Sequence, residues 1–223
     1  MDIKEYISPS EDLMNYAVAA PADCTDLPLL VFLHGAGERG RKIDHLYRHG
    51  IPKLLKEGME YPAVILYPQC PAPFIWNNMV KELKELIDRV AAEYGIKDDR
   101  IMITGCSMGG YGTWEMAMCY PETFAAVGPV AGGGVMWRTS KLKDVPVIAY
   151  HGSEDSAVLP SQSQVLVEYT NLFGGHAELH LLEGMEHNDG IDYAYRNTDL
   201  IPRLLSYRKT DHSHVPEVCE GMF

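Results

Sequence analysis

Short runs of apolar residues alternate along the chain with segments whose apolar residues recur every three to four positions. A continuous apolar run is typical of a strand that is buried on both faces of a sheet. The last of the six runs alternates in part between apolar and polar residues. The predicted strands are residues 27–35, 63–69, 100–105, 124–132, 145–152 and 177–184.

Helical spacing fills the gaps between these runs. Residues 76–95 place their apolar side chains on one stripe, and Gly95 is expected to end that helix. Residues 161–175 and 191–209 predict two further helices, the second of them split near Pro202. A fourth helix is predicted directly after the third strand. Strands that alternate with helices predict an α/β fold with a mostly parallel sheet and helices on both faces.

The length of 223 residues favours one domain, which we expect to span residues 1–209. The segment 132–144 is too short for a separate cap domain, so the site is expected to be open. Residues 210–223 show no clear period. We interpret them as a tail, which is a candidate contact between copies of the chain in a homo-oligomer.

Composition and charge narrow the classes of partner. A formal net charge of −12 and the lack of a basic run argue against nucleic acid, and acidity also weakens attraction to anionic membranes. No apolar stretch is long enough to span a bilayer. The five cysteines are widely spaced without a CxxC pair, which indicates a reducing compartment. Because the first residues form no secretory signal, we expect a cytoplasmic protein.

The most informative motif is Gly-Cys-Ser-Met-Gly at residues 105–109, between the third predicted strand and the helix that follows it. A sharp strand-to-helix turn exposes a central serine hydroxyl, and glycines on either side leave room for the neighbouring backbone. The helix N-terminus supplies N–H groups for a developing oxyanion. The alternative is a glycine-rich turn with a chance serine. The strand and helix around the motif favour Ser107 as a nucleophile.

A serine nucleophile needs a base and a carboxylate that orients it. His187 follows the sixth predicted strand and is the expected base, with His151 as the main rival. Asp155 follows the fifth strand and is the expected acid. Glu154 competes with Asp155 for that role, and Asp189 ranks below both because it is close to His187 in sequence.

A glycine-rich loop at residues 34–40 follows the first predicted strand. Glycines let backbone N–H groups approach a ligand closely. We expect the N–H groups of Ala36 and Met108 to form an oxyanion hole. Glu38 and Arg39 are expected to pair and hold the loop. A phosphate cradle is the weaker interpretation because the P-loop and dinucleotide-binding patterns are absent.

Other residues at the strand ends are candidates for substrate binding. His34 and Gly35 are expected to contact the substrate from this loop. Trp76 is either an apolar wall of the pocket or a core aromatic at a helix start. Met136 and Trp137 could line the same opening.

The chain resembles the α/β-hydrolase superfamily, and within it the small carboxylesterase, phospholipase and polyhydroxybutyrate-depolymerase-like esterases, which include feruloyl-esterase relatives. The match extends from about residue 28 to residue 209 in family order. The segments that carry it are FLHGAGERG (32–40), PQCP (68–71), GCSMGGYGTWEMAMCYPETFAAVGPVAGGG (105–134), HGSEDSAV (151–158) and EHNDGIDYAYRNTDLIPRLLSYRK (186–209).

The resemblance implies a Ser107–Asp155–His187 triad with an oxyanion hole at Ala36 and Met108. The expected activity is hydrolysis of small carboxylic esters through an acyl-enzyme, with neither a metal nor an organic cofactor. Three alternatives stay open: a peptidase or amidase that uses the same triad, a binding protein on a hydrolase scaffold, and a metal site. The metal site would use His187, Asp189 and Asp192.

Overall fold

The structure is a computed structural model that describes residues 1–10 and 13–209. Within these ranges eight strands form one sheet and six α-helices pack against it. The strands are β1 (Asp2–Tyr6), β2 (Asn15–Ala20), β3 (Leu29–Leu33), β4 (Val64–Gln69), β5 (Ile101–Cys106), β6 (Ala126–Val130), β7 (Val147–Gly152) and β8 (Ala177–Leu182). The helices are α1 (Gly50–Lys56), α2 (Val80–Glu93), α3 (Met108–Cys119), α4 (Ser161–Leu172), α5 (His187–Asn197) and α6 (Leu200–Ser206).

The sheet is parallel except at one edge. Its strand order is β1-β2-β4-β3-β5-β6-β7-β8. The six strands β3 to β8 run parallel to one another. Strand β2 is antiparallel to both of its neighbours, β1 and β4. The six strands predicted from apolar runs are all present as β3 to β8. The prediction of a mostly parallel sheet with helices on both faces is therefore confirmed.

Strand β3 shows why the apolar runs are continuous. Leu29, Val31 and Leu33 face a core that they share with α2, α3 and α4. The alternate side chains, Leu30 and Phe32, face a second core that is closed by α1, α5 and α6. Because both faces are covered, no position of the strand favours a polar residue. Burial of each large side chain stabilises the fold by about 2 kcal/mol.

The sequence predicted two details of the helices. The predicted split near Pro202 is confirmed, because α5 ends at Asn197 and α6 begins at Leu200. Pro202 lies in the first turn of α6, where the missing N–H costs no intrahelical hydrogen bond. The predicted end of α2 is confirmed, since Gly95 follows it with a φ of +64°. This left-handed conformation favours glycine.

The connections at the carboxyl edge of the parallel strands differ in length, from the single residue Ser107 between β5 and α3 to residues 34–49 between β3 and α1. Residues 132–144 include a 3-10 helix at Met136–Leu142. Within the described ranges, no helix is both long and apolar enough to cross a membrane. The predicted tail, residues 210–223, lies outside the described residues.

Candidate active site

Ser107 occupies a strained turn between β5 and α3. Its backbone lies at φ 55° and ψ −120°, a region that residues other than glycine rarely adopt. Both flanking glycines are needed for close approach. A Cβ on Gly105 would lie 2.5 Å from the carbonyl oxygen of Gly109, and a Cβ on Gly109 would overlap the carbonyl oxygen of Leu33. The spacing of the motif therefore follows from the packing of the turn against β3.

Ser107, His187 and Asp155 form one chain of hydrogen bonds. The hydroxyl oxygen of Ser107 lies 2.9 Å from Nε2 of His187, and Nδ1 of His187 lies 2.6 Å from Oδ2 of Asp155. Asp155 follows β7, and His187 is the first residue of α5 after β8. The three side chains meet because β5, β7 and β8 all end at the same edge of the sheet.

The carboxylate of Asp155 is buried and firmly held. Its Oδ1 accepts the backbone N–H groups of Ala157 at 2.9 Å and of Val158 at 2.8 Å. Its Oδ2 contacts His187 and also lies 3.3 Å from Nε2 of His151. Fixed donors of this kind hold a carboxylate in one orientation. Asp155 is therefore arranged to orient the imidazole of His187.

His151, the rival base, is fully buried and engaged at both ring nitrogens. Its Nε2 lies 2.8 Å from the carbonyl oxygen of Val158, and its Nδ1 lies 2.8 Å from the hydroxyl oxygen of Ser163. Burial lowers the pKa of His151, which favours the neutral ring. Glu154, the rival acid, is exposed on the surface. The hydrogen-bond partner of Ser107 is thus His187.

The loop after β3 lies against the Ser107 turn. Its backbone begins a 3-10 helix at Ala36, and Met108 begins α3. The first N–H groups of a helix have no intrahelical acceptor, so both residues can offer an N–H to a ligand. Arg39 donates to the carbonyl oxygens of Ala36 and Phe74. The expected pairing of Glu38 with Arg39 is not formed, because the arginine is engaged by these backbone oxygens.

His34 and Trp76 pack behind this loop. The expectation that His34 touches substrate is therefore corrected, and of the two interpretations of Trp76 the structure favours the core aromatic over the pocket wall. Nδ1 of His34 lies 2.6 Å from the carbonyl oxygen of Gly35, and Nε2 accepts the N–H of Cys70. Burial lowers the pKa of His34 to about 4 and keeps the ring neutral. Trp76 is fully buried, and its indole N–H donates to the carbonyl oxygen of His34. Of the three expected substrate contacts, Gly35 alone lines the cleft described next.

A cleft of about 240 Å³ opens beside Ser107. Its walls come from the loop after β3, the segment before α1, the Ser107 turn and the first turns of α5. The lining residues are Gly35, Ala36, Gly37, Glu38, His49, Cys106, Ser107, His187, Asn188 and Ile191. Sequence reasoning did not assign Glu38, His49, Asn188 or Ile191 to the substrate cleft, because no motif marks side chains that depend on loop conformation. Met136 and Trp137 do not line it.

The arrangement favours proton transfer and not metal binding. Asp192 forms an ion pair with Lys53 at 2.8 Å, and His187 directs its Nδ1 to Asp155, so two of the three candidate metal ligands are engaged elsewhere. In residues 1–10 and 13–209, no group of three or more candidate ligands is placed to hold a metal ion. A larger cleft of about 500 Å³, between the β1–β2 edge and α2, lies away from the three hydrogen-bonded side chains.

The chain matches the family model described as phospholipase/carboxylesterase over residues 74–192, just over half of its length. A poly(3-hydroxyalkanoate) depolymerase of Paucimonas lemoignei is 26% identical over 123 residues, which cover 41% of this chain and 30% of that protein. A carboxylesterase of Arabidopsis thaliana is 28% identical over 116 residues, covering 49% of this chain and 50% of that protein. The chain thus spans half or less of the length of these curated relatives.

Solved structures show the same fold. A thermostable esterase superposes with a TM-score of 0.78 at 28% identity, covering 93% of this chain and 63% of that chain. The feruloyl esterase module of Clostridium thermocellum superposes with a TM-score of 0.71 at 17% identity, covering 96% and 91% of the two chains. The expected α/β-hydrolase fold is therefore confirmed.

Proposed function

The chain belongs to the phospholipase/carboxylesterase family of the α/β-hydrolase superfamily, and from this premise we propose that it is a serine esterase that cleaves small carboxylic esters. The observation that carries the proposal is the continuous hydrogen-bond chain from Ser107 through His187 to Asp155. The names of the curated relatives, a depolymerase and a carboxylesterase, support the same class of reaction.

In the proposed acylation step, Nε2 of His187 takes the proton of Ser107 while the hydroxyl oxygen attacks the ester carbonyl carbon. The carbonyl oxygen becomes an oxyanion, which the N–H groups of Ala36 and Met108 stabilise. The carboxylate of Asp155 stabilises the imidazolium that forms. Because Asp155 is held by backbone donors, it needs no rearrangement during the step.

The tetrahedral intermediate then collapses and expels the alcohol, which takes its proton from Nε2 of His187. The acyl group stays on Ser107 as an ester. Water enters, gives a proton to His187 and attacks the acyl carbon. Collapse of the second intermediate releases the carboxylic acid and returns the proton to Ser107. The cycle consumes one water molecule and requires no redox chemistry.

The proposed partner is a small-molecule ester. A cleft of about 240 Å³ suits a short group or the end of a longer molecule. A net charge of −12 disfavours nucleic acid. The four cysteines within the described ranges are free thiols, which supports a reducing compartment such as the cytoplasm.

Covalent labelling tests the proposed nucleophile. A serine-reactive organophosphate is expected to add one phosphoryl group to the folded protein, and peptide mapping is expected to place it on Ser107. The Ser107→Ala variant, folded to the same extent, is expected to stay unlabelled. Labelling of another residue, or no labelling of the folded wild type, contradicts the proposal. Faster turnover of amides than of matched esters would favour a peptidase or amidase instead.

A further inference from the structure

A buried carboxyl group faces the cleft next to the proposed nucleophile. Glu38 is only 4% exposed, and it lines the cleft together with Ser107. A Cβ on Gly35 would lie 3.3 Å from Oε2 of Glu38 and 3.6 Å from Cβ of Ser107. The carboxyl group and the serine are therefore separated by little more than the width of this glycine.

The surrounding side chains leave the Glu38 carboxyl without a direct hydrogen-bond donor. Its nearest basic atoms are Nε2 of His49 at 3.8 Å and Nδ1 of His34 at 3.9 Å, both beyond hydrogen-bond distance. His34 is turned to the carbonyl oxygen of Gly35, and Arg48 donates to the carbonyl oxygen of Gly37. Within the described residues, no side chain donates a hydrogen bond to this carboxyl group.

The cleft wall behind Glu38 is also acidic. Nδ1 of His49 lies 3.8 Å from Asp192, so this imidazole stands between two carboxylates. Lys53 is the nearby lysine, and its ammonium group pairs with Asp192 at 2.8 Å. The chain as a whole carries a formal charge of −12. An anionic group in the cleft would meet repulsion from these carboxylates.

Burial of a carboxyl group that accepts a hydrogen bond from no side chain costs free energy. This burial raises the pKa of Glu38, although a hydrogen bond from its own backbone N–H acts in the opposite direction. A ligand that brings an O–H or N–H group into the cleft adds a hydrogen bond to this carboxyl group. A purely aliphatic group in the same place leaves the cost unchanged. A carboxylate increases it through repulsion between like charges.

We propose that Glu38 binds a hydrogen-bond donor of the substrate, a hydroxyl or a protonated amine, on the part of the ester that occupies this cleft. This inference rests on the proposed esterase function. It makes Glu38 a specificity-determining residue, which selects hydroxylated or aminated esters over aliphatic ones and disfavours esters that bear a carboxylate there.

Two series of esters test the inference. The first keeps the 4-nitrophenol leaving group and varies the acyl group among butyryl, 3-hydroxybutyryl, 4-aminobutyryl and succinyl. The second keeps the acetyl group and varies the alcohol among propanol, ethylene glycol and glycolate. We expect one series to show a kcat/KM about 2- to 10-fold higher for the hydroxyl ester than for the aliphatic ester. The ester with an ammonium group is expected to have a kcat/KM about tenfold or more above that of the aliphatic ester. The carboxylate ester is expected to be the poorest substrate.

Variants separate recognition from a structural role. Glu38→Leu is expected to abolish the ratio between donor-bearing and aliphatic esters. Glu38→Gln retains an acceptor oxygen, so it is expected to keep part of the hydroxyl preference and to lose the ammonium preference. Glu168→Leu, at an exposed glutamate on α4, is the matched control and is expected to keep both ratios. If Glu38 served only the stability of the loop, the variants would lower kcat/KM for all esters by one common factor.

The inference is wrong if wild type shows no donor preference in either series, or if the preference persists in both Glu38 variants. If Glu38→Leu does not fold, Glu38→Gln alone decides through loss of the ammonium preference. A wild type that cleaves the aliphatic esters no faster than Ser107→Ala contradicts the esterase proposal itself, and the inference falls with it.

Discussion

The Nε2 atom of His151 lies 3.3 Å from Oδ2 of Asp155, the same carboxylate oxygen that contacts His187. The N–H of this neutral ring also points to the carbonyl oxygen of Val158. His151 therefore contacts the same carboxylate oxygen as the proposed base, although no hydrogen bond joins it to Ser107. We infer that it is a positioning residue.

His151→Leu removes this restraint and leaves buried partners unpaired. We expect kcat for ester hydrolysis to fall about tenfold with KM within about twofold, because substrate contacts are unchanged. Stability is expected to fall by about 2 kcal/mol. Ser163→Ala removes the hydroxyl partner of the other ring nitrogen and leaves the Asp155 contact intact. It should lose stability and retain kcat. An unchanged kcat in folded His151→Leu would show that Asp155 needs no such support.

Asp155→Asn tests the proposed acid. The amide cannot stabilise an imidazolium as a carboxylate does, and it favours the wrong tautomer of His187. We expect kcat to fall by about 10³- to 10⁴-fold. Glu154→Gln changes the exposed neighbour in sequence and serves as the control, with activity close to wild type. Steady-state kinetics on a short aryl ester distinguish the two, and a reversed order of effects would assign the acid role to Glu154.

Gly109→Ala tests the packing of the turn. The added methyl group overlaps the carbonyl oxygen of Leu33, which belongs to a central strand and cannot move freely. We expect a loss of about 3 kcal/mol or more in the free energy of unfolding. Gly37→Ala is the matched control, because its methyl group meets no atom within 4 Å. Urea denaturation compares them. Equal stability of the two variants would contradict the close approach of β3 to the turn.

Because His34 is buried as a neutral ring, we expect the free energy of unfolding to fall in mild acid. Its pKa is about 4 in the fold and near 6.5 when the chain unfolds, so between these values the unfolded chain takes up a proton that the folded chain does not. The free energy of unfolding therefore falls as pH decreases from about 6.5 to about 4, by about 3 kcal/mol in total.

His34→Gln lacks this titration and is expected to show a shallower dependence of unfolding free energy on pH. The raised pKa of Glu38 gives a contribution of opposite sign in both proteins. The difference between the two proteins therefore isolates His34. Urea titrations at several pH values measure it, and parallel curves would show that His34 is not neutral and buried as described.

The sequence predicted the parallel part of the sheet because burial on both faces leaves a clear apolar run. It did not predict β1 or β2. Strand β1 is mostly exposed, and β2 is rich in alanine, which has little preference for strands. Helix α1 was also not predicted, since its seven residues begin with Gly-Ile-Pro and give too short a pattern.

The positions of Ser107, Asp155 and His187 could be predicted because each follows a strand that ends at one edge of the sheet. The directions of the loop side chains could not. Trp76 turned inward to the carbonyl oxygen of His34, and Glu38 turned to the cleft. These orientations depend on tertiary packing, which residue type and spacing do not specify.

Hydrolysis of a short-chain aryl ester by wild type and by Ser107→Ala, both shown to be folded, tests the central claim most directly. The account predicts steady turnover by wild type and a rate for the variant that is close to the uncatalysed background. Full activity of Ser107→Ala would contradict the account, because the ester bond would then be cleaved without the hydroxyl group at the strand-to-helix turn.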